Sequence, residues 1–315
     1  MALNSLLSFL ERARDVSRRD LFRGGLLAAS STVLPRVSAL PASSKEPKFG
    51  PDIYESLGVR PLVNAQHLTT QIGGSLAVPE ALKAMDFASR HFVQIDELME
   101  AVSTRLAELT GSEYCIVTSG CAAAMSHATA ACIAGADPEK ILRLPDLTGL
   151  KSEVVAPRWS RNRYDHAIRL VGVKIINVDS LEQLEAAIGP KTAMVFVLGH
   201  PNDKGPFGLE PVSEIARRKG IPVLVDAAAE ELFVPNIHLQ RGATLVAYSG
   251  GKVIRGPQCA GLLMGRKDLV RAAWLHSAPH HALGRPMKVG KEEIIGMLAA
   301  VEVFMKKDRK AEWKQ

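Results

Sequence analysis

Residues 192–231 read TAMVFVLGHPNDKGPFGLEPVSEIARRKGIPVLVDAAAEE and carry the pattern on which the predicted fold rests. Two apolar runs, TAMVFVLGH and IPVLVDAA, predict strands, and VSEIARRKG between them has helical spacing and stops at a glycine. A helix between two apolar strands favours a parallel pair, because parallel strands need a long crossover connection. Ligands of such sheets bind at the carboxyl ends of the strands, where Asp226 stands in this stretch.

The same alternation continues through the chain from about residue 52. Further strands are predicted at YCIVTSG, KILRLPD, SEVVAP, VKIINV and ATLVAYSGG, and further helices at CAAAMSHATAACIAG and SLEQLEAAIG. This order predicts an α/β fold with a mainly parallel sheet that helices cover on both faces.

Composition and charge indicate a globular protein and argue against a nucleic-acid surface. With 315 residues, 47% of them hydrophobic and 23% charged, the chain can bury a large core. The net charge is +6, but the first 50 residues alone hold eight basic and four acidic side chains. The remaining excess is too small to predict nucleic-acid binding. The four cysteines show no CxxC spacing and no histidine at ligand spacing, so neither a metal site nor a disulfide framework is predicted.

The basic stretch SRRDLFRGGLLAASSTVLPRVSALPASS resembles a twin-arginine (Tat) export signal. Arg18 and Arg19 form the pair, Leu26 to Leu34 the apolar region, and cleavage is expected after Ala39 or Ala42. A disordered basic tail or a short amphipathic helix is the alternative. The apolar run is shorter than the roughly 20 residues that span a bilayer. We therefore expect export through the Tat machinery to the periplasm or beyond, with a cytoplasmic location as the alternative.

A strand followed by small residues, IVTSGCAAAM, predicts an anion site at the start of a helix. The small side chains let the Ser119 hydroxyl and backbone N–H groups approach an anion at the positive helix terminus. A capped helix without a ligand is the alternative. Neither GxGxxG nor GxxxxGK[ST] occurs, which disfavours dinucleotide and nucleoside triphosphate binding.

Two further strand ends carry chemistry. A carboxylate at Asp226, behind an apolar strand, is costly unless a protonated pyridine nitrogen or a helix N-terminus satisfies it. Lys252 follows Gly250 and Gly251, which we expect to remove side chains that would crowd a bulky ligand, and Ser249 lies three residues earlier. A solvated loop lysine is the alternative. Together the three strand ends supply a phosphate cradle, a partner for a ring nitrogen and an amine for a Schiff base, the parts that hold pyridoxal phosphate (PLP).

The motifs SGGKVIRGPQCAGLLMGRKDLV, GIPVLVDAAAE and GRPMKVGKEEI resemble the fold-type I PLP enzymes of the selenocysteine synthase group, which are similar to class V aminotransferases. The group comprises L-seryl-tRNA(Sec) selenium transferase and relatives that act on small amino acids or amino sugar acids. The resemblance extends from about residue 58 to residue 304. It implies a fold-type I large domain, PLP as cofactor, and a homodimer or higher homo-oligomer.

The resemblance also implies residue roles. Lys252 would form the Schiff base and remove the Cα proton, and Asp226 would keep the pyridine nitrogen protonated. The cofactor phosphate would be held by Ser119, Gly120, Cys121 and Ser249. Four candidates remain for substrate binding, each with a structural or surface role as the alternative: Asn64, Arg161, His200 and Arg285.

The expected domains are a signal and linker (1–42), an N-terminal arm and helix (43–90), a PLP-binding large domain (91–275), and the start of a small C-terminal domain (276–315) that we expect to be largely missing. The favoured function is a PLP-dependent lyase or transferase that deprotonates Cα of an amino acid or amino sugar acid, with β-elimination or aldol cleavage to follow. L-seryl-tRNA(Sec) selenium transferase is one alternative, disfavoured because tRNA is absent outside the cytoplasm. A catalytically inactive, truncated PLP-fold protein is the other.

Overall fold

The computed structural model describes residues 48–65, 68–199 and 205–307, and the chain divides into two compact units, 1–64 and 65–315. In the first unit, helix α1 (Ile53–Ser56) is joined to the preceding chain by the Ser56 hydroxyl, which accepts from Lys48 N at 3.0 Å and donates to Ile53 O at 2.8 Å. The proposed signal, 1–42, lies outside the described residues. The predicted domain boundaries stay predictions.

The described part of the second unit contains one seven-stranded sheet. Its strands are β1 (Tyr114–Thr118), β2 (Glu153–Pro157), β3 (Lys174–Val178), β4 (Thr192–Leu198), β5 (Val223–Asp226), β6 (Leu245–Ser249) and β7 (Gly261–Gly265). They pair in the order β1-β7-β6-β5-β4-β2-β3. β7 runs antiparallel to both of its neighbours, and the other pairs are parallel. The prediction of a mainly parallel sheet is confirmed.

The described residues of the second unit form ten helices. They are α2 (Pro79–Ser89), α3 (Ile95–Thr110), α4 (Gly120–Ala134), α5 (Pro138–Arg143), α6 (His166–Arg169), α7 (Leu181–Ala187), α8 (Leu209–Arg218), α9 (Ile237–Gln240), α10 (Lys267–Leu275) and α11 (Lys291–Lys306). Short 3₁₀ turns occur at Thr70–Ile72, Arg158–Ser160 and Arg163–Asp165. None of the helices in the described ranges has the length and apolarity needed to cross a membrane.

The burial of the strands explains the layered arrangement. Every residue of β1, β5 and β7 is buried, so these strands are covered on both faces, since successive side chains point to opposite sides. α4 is buried around nearly its whole circumference and packs against β6, β7 and α10. A helix that is apolar all round belongs in a core, and α4 is the central helix of this one.

Two differences from the sequence-based predictions concern the strands. The predicted strand KILRLPD is wrong, because its first residues belong to α5. Asp137 caps that helix by accepting from the N–H groups of Glu139 (3.1 Å) and Lys140 (3.3 Å), and Pro138 favours the first helical turn. β7 was not predicted, because its apolar run is short and has a glycine at each end.

The register of the sheet aligns the strand ends that carry polar residues. Gly261 at the start of β7 pairs with Thr118 on one side and with Ser249 on the other. Because neighbouring strands lie about 4.8 Å apart, the ends of β1 and β6 are separated by roughly 10 Å. Asp226 at the end of β5 pairs with Ala247 of β6. All three predicted strand ends therefore meet at one edge of the sheet.

Candidate functional site

A cavity of about 410 Å³ lies at this edge of the sheet. Its walls include Ser119, Asp226, Ser249 and Lys252, which come from the ends of three different strands. The volume is within the range of roughly 300 to 1,000 Å³ that is typical of small-molecule sites. The structure thus brings together the groups that the sequence analysis took from separate motifs.

Asp226 forms the buried acidic end of the cavity, with only 4% of its surface exposed. From the described residues its carboxylate accepts two hydrogen bonds, both at Oδ1. One comes from Ala228 N at 3.0 Å and the other from Cys121 Sγ at 3.4 Å. Burial raises the pKa of Asp226, although these two donors and the nearby Lys252 ammonium favour the charged form. Oδ2 is left for a donor that a ligand would bring.

The thiol of Cys121 forms a hydrogen bond with the Asp226 carboxylate. Burial raises the pKa of Cys121 well above its usual range, and the adjacent Asp226 raises it further. The neutral thiol can therefore donate to the carboxylate. Only the backbone N–H of Cys121, in the first turn of α4, is left to contact a phosphate.

Lys252 lies in the turn after β6, and its side chain is partly buried. Its Nζ is 5.8 Å from the centre of the Tyr164 ring, a distance at which an ammonium is attracted to the ring face. Asp226 is also close enough to interact with it electrostatically. The amine is therefore near an aromatic ring and within electrostatic range of the buried carboxylate.

The start of α4 supplies the anion-binding part of the cavity. Gly120 has φ +79°, a conformation that favours glycine, and it turns the chain from β1 into the helix. Ser119 precedes the helix, but its hydroxyl does not cap it. The N–H groups of the first helical turn have no partners within the helix. A phosphate fits there by charge and by donor chemistry.

The predicted role of Gly250 and Gly251 in making room for a ligand is wrong. A Cβ on Gly250 would lie 2.7 Å from Met297 Sδ and 2.8 Å from Ala260 O. A Cβ on Gly251 would lie 2.6 Å from the Cα of Gln258. The protein itself fills the space beside both glycines, so they allow α11 and the 257–260 segment to pack tightly against the lysine turn.

Neither Arg161 nor Arg285, two of the four candidate substrate residues, lines the cavity. Nε of Arg161 donates to Asp165 Oδ2 and its Nη1 donates to Asn177 Oδ1, both at 2.6 Å, which is a structural use of this side chain. Arg285 is exposed, directly before Pro286. Asn64 belongs to the first compact unit, and His200 lies outside the described residues. Substrate roles for these four residues stay predictions.

The structure also adds cavity residues that the sequence analysis missed. Tyr164, Gln258 and Cys259 line the walls together with Thr69 and Thr70. Tyr164 lies in the 3₁₀ turn Arg163–Asp165, away from any strand end. Because it does not directly follow an apolar strand, the sequence pattern does not predict it.

Comparison with known proteins places these features in a family. Residues 85–284 match the aminotransferase class-V family. A D-glucosaminate-6-phosphate ammonia lyase from Salmonella typhimurium is 35% identical over 265 residues, which cover 81% of this chain and 70% of that protein. A 5'-C-glycyluridine monooxygenase-decarboxylase from a Streptomyces species is 36% identical and covers 80% of this chain and 65% of that protein.

More distant relatives agree with the predicted group. An L-seryl-tRNA(Sec) selenium transferase from Moorella thermoacetica is 27% identical, with 80% of this chain and 57% of that protein covered. Among solved structures, a D-glucosaminate-6-phosphate ammonia lyase aligns with a TM-score of 0.76 and 34% identity over 82% of this chain and 71% of that one. The serine palmitoyltransferase of Sphingomonas wittichii, at 15% identity, 75% and 61% coverage, and a TM-score of 0.53, shares the fold.

The cavity fits the cofactor of this class. The free Oδ2 of buried Asp226 suits a protonated ring nitrogen, the Lys252 amine suits an aldehyde, and the start of α4 suits a phosphate. The predictions of a fold-type I enzyme and of PLP as its cofactor are confirmed by the family match and the relatives. The chain belongs to the aminotransferase class-V family.

Proposed function

We propose that this protein is a PLP-dependent lyase that acts on an amino sugar acid. The observation that carries the proposal is the convergence of Lys252, Asp226 and the start of α4 on one cavity. The Salmonella relative, which is named for an ammonia lyase reaction of D-glucosaminate 6-phosphate, supports this substrate class and reaction type.

PLP, when bound, supplies an aldehyde that condenses with amines and a ring that accepts electrons from the substrate Cα. The chain's residues have the following roles. The N–H groups of Gly120 and Cys121 and the hydroxyls of Ser119 and Ser249 would bind the cofactor phosphate. Asp226 Oδ2 would accept the ring N–H and favour the protonated ring nitrogen.

Lys252 Nζ moves the reacting proton. As a neutral amine it takes the proton from Cα of the substrate, and as an ammonium it returns a proton to the departing hydroxyl at Cβ. The Tyr164 ring, 5.8 Å from Nζ, stabilises the ammonium form between the two transfers. The Cα hydrogen and the β-hydroxyl leave as water, and the enamine product tautomerises and is hydrolysed by one water to ammonia and a 2-keto acid. The overall change is a lyase reaction.

The test uses the PLP-loaded protein with D-glucosaminate and with its 6-phosphate as probes. We expect one or both probes to yield ammonia and a 2-keto acid. Coupled dehydrogenase assays measure the two products. The Lys252→Ala variant should give neither product. Turnover by Lys252→Ala at the wild-type rate, or no turnover of either probe by the wild type, would contradict the proposal.

We also propose that the protein is a homodimer or a higher homo-oligomer. Large apolar side chains are exposed in and around α2, with Leu76 85%, Phe87 66% and Phe92 fully accessible. Exposed apolar surface of this kind is typical of protein interfaces. Light scattering coupled to gel filtration should give a multiple of the 34.0 kDa chain mass. A mass equal to one chain would contradict this.

We propose further that residues 1–42 direct export by the Tat pathway. The support is the Arg18-Arg19 pair before a short apolar run. A reporter fused behind these residues should reach the periplasm, and changing both arginines to lysine should retain it in the cytoplasm. Retention of the unchanged fusion would rule this out.

A further inference from the structure

A second cavity, of about 710 Å³, shares a wall with the cofactor cavity. Ser119, Ala122 and Tyr164 line both. In the second cavity, Ala123 and Ser126 extend this wall along one face of α4, because residues three and four apart share a helix face. The two cavities are therefore adjacent, and Tyr164 lies at the boundary between them.

Apart from the Tyr164 phenol, the ionisable side chains that line this second cavity are all basic. They are Arg163, His166 and Arg169, and no carboxylate is among the described lining residues. Within the described part of the chain, the Arg163 guanidinium has no hydrogen bond or ion pair. Its charge is therefore available to a ligand.

A buried carboxylate orients the second arginine. Asp165, 3% exposed, accepts from Nε of Arg169 at 3.2 Å and from Nε of Arg161 at 2.6 Å. Arg169 Nη2 in turn lies 2.9 Å from His166 Nδ1. Arginine can only donate, so Nδ1 accepts and the imidazole proton is on Nε2. The wall thus presents guanidinium groups and an imidazole N–H, all of them donors.

We propose that this basic cavity binds a phosphate ester at the end of the substrate remote from Cα. This inference rests on the proposed function, and it specifies the substrate class as terminally phosphorylated amino sugar acids. Guanidinium groups match the planar donor geometry that phosphate oxygens accept, and a phosphate dianion satisfies several donors at once. The substrate's own carboxylate, next to Cα, stays in the first cavity.

The kinetic test compares Arg163→Gln with Arg158→Gln, a matched control. Arg158 is an exposed arginine on the same segment, where it pairs with Asp179 and does not line the cavity. For each PLP-loaded protein, kcat/KM is measured with D-glucosaminate 6-phosphate and with D-glucosaminate. We expect the wild type to prefer the phosphate ester, and Arg163→Gln to lower that preference about 10- to 100-fold. Arg158→Gln should retain it.

A binding measurement separates this inference from the proposed function. Titration calorimetry with inorganic phosphate is carried out on the PLP-loaded protein, whose cofactor phosphate site is already filled. We expect the wild type to bind phosphate and Arg163→Gln to bind it at least about tenfold more weakly. If neither probe is turned over, the proposed function fails. Calorimetry still shows whether the second cavity binds an anion through Arg163.

Three results would overturn the site. One is an unchanged preference for the phosphate ester in Arg163→Gln. Another is phosphate binding that this variant leaves unaltered, which would mark an adventitious ion only. The third is a loss of PLP affinity in Arg163→Gln with no change in substrate preference, which would assign Arg163 to the cofactor phosphate.

Discussion

At the scale of single residues, Asp226 has the most unusual environment in the cofactor cavity. Its carboxylate is almost fully buried and receives one backbone N–H and one thiol, both at Oδ1. A charge with so few donors costs stability unless a further donor approaches. A bound ring N–H would provide that donor, so cofactor binding and folding are linked through this residue.

We expect Asp226→Asn to raise the free energy of unfolding of the PLP-free protein at pH 7, by about 1 to 3 kcal/mol, because it removes a poorly solvated charge. The folded-state pKa of Asp226 is raised. The carboxyl group therefore stabilises the folded protein below the pKa that it has in the unfolded chain. This stabilisation is lost as the pH rises through the pKa that it has in the folded protein. The advantage of the variant should shrink as the pH falls toward 4.

Urea unfolding at pH 7 and at pH 4 checks this. Asp179→Asn, at an exposed carboxylate that pairs with Arg158, is the control for removing a carboxylate that is not buried. If the gain in stability of Asp226→Asn is equal at both pH values, or if the variant is less stable at pH 7, burial does not destabilise the charged carboxylate.

Much of the site could be predicted at this scale, because Ser119, Asp226 and Ser249 each stand at the end of an apolar strand and Lys252 follows closely. Tyr164 could not, since it reaches the cavity from a 3₁₀ turn with no apolar pattern before it. The pairing of Arg161 with Asp165 and Asn177 also depends on tertiary contacts that spacing does not reveal.

At the scale of elements, the site depends on how closely α4 approaches β7. A Cβ on Gly261 would lie 2.5 Å from the backbone carbon of Gly120 and 2.7 Å from Cys121 N. Both are backbone atoms of the turn into the helix, and they cannot move without shifting its first N–H groups. The glycine at the start of β7 therefore fixes the position of the anion site.

We expect Gly261→Ala to lower the free energy of unfolding by about 1 to 3 kcal/mol, as overpacking does, and to weaken PLP binding. Gly189→Ala is the control, because no atom lies within 4 Å of its added Cβ. Unfolding curves and PLP titration monitored by absorbance measure the two effects. If Gly261→Ala binds PLP as the wild type does, the close approach does not position the phosphate site.

The elements that escaped prediction have local causes. The Asp137-Pro138 cap outweighs the apolar run of KILRLPD and gives a helix. β7 is a short strand between glycines, and it is held by pairing with β1 and β6 rather than by its own pattern. The alternation of strands and helices elsewhere was sufficient to predict the sheet, because buried parallel strands are apolar along their whole length.

At the scale of the whole second unit, α11, which lies at the end of the described chain, packs against the turn that carries Lys252. α11 packs against α2 and α3, and its Met297 is fully buried. The Sδ atom of Met297 occupies the space beside both Gly250 and Gly256. A residue 45 positions after Lys252 in the chain thus supports the turn that carries it.

We expect Met297→Ala to lower the free energy of unfolding by about 2 to 5 kcal/mol, because it leaves a cavity in the core. The same change at Met305, which is only partly buried on α11, should cost less. Urea unfolding of both variants gives the comparison. Equal losses at the two positions would show that Met297 contributes no more to core packing than Met305.

Lysine mapping tests most directly whether this chain uses Lys252 to bind PLP. The protein is loaded with PLP, reduced with borohydride and digested, and the modified peptide is identified by mass spectrometry. We predict a pyridoxyl group on Lys252, and none at any other lysine in stoichiometric amount, with Lys252→Ala unlabelled. A stoichiometric label on a different lysine, or an unlabelled Lys252 in the loaded protein, would contradict the proposed chemistry.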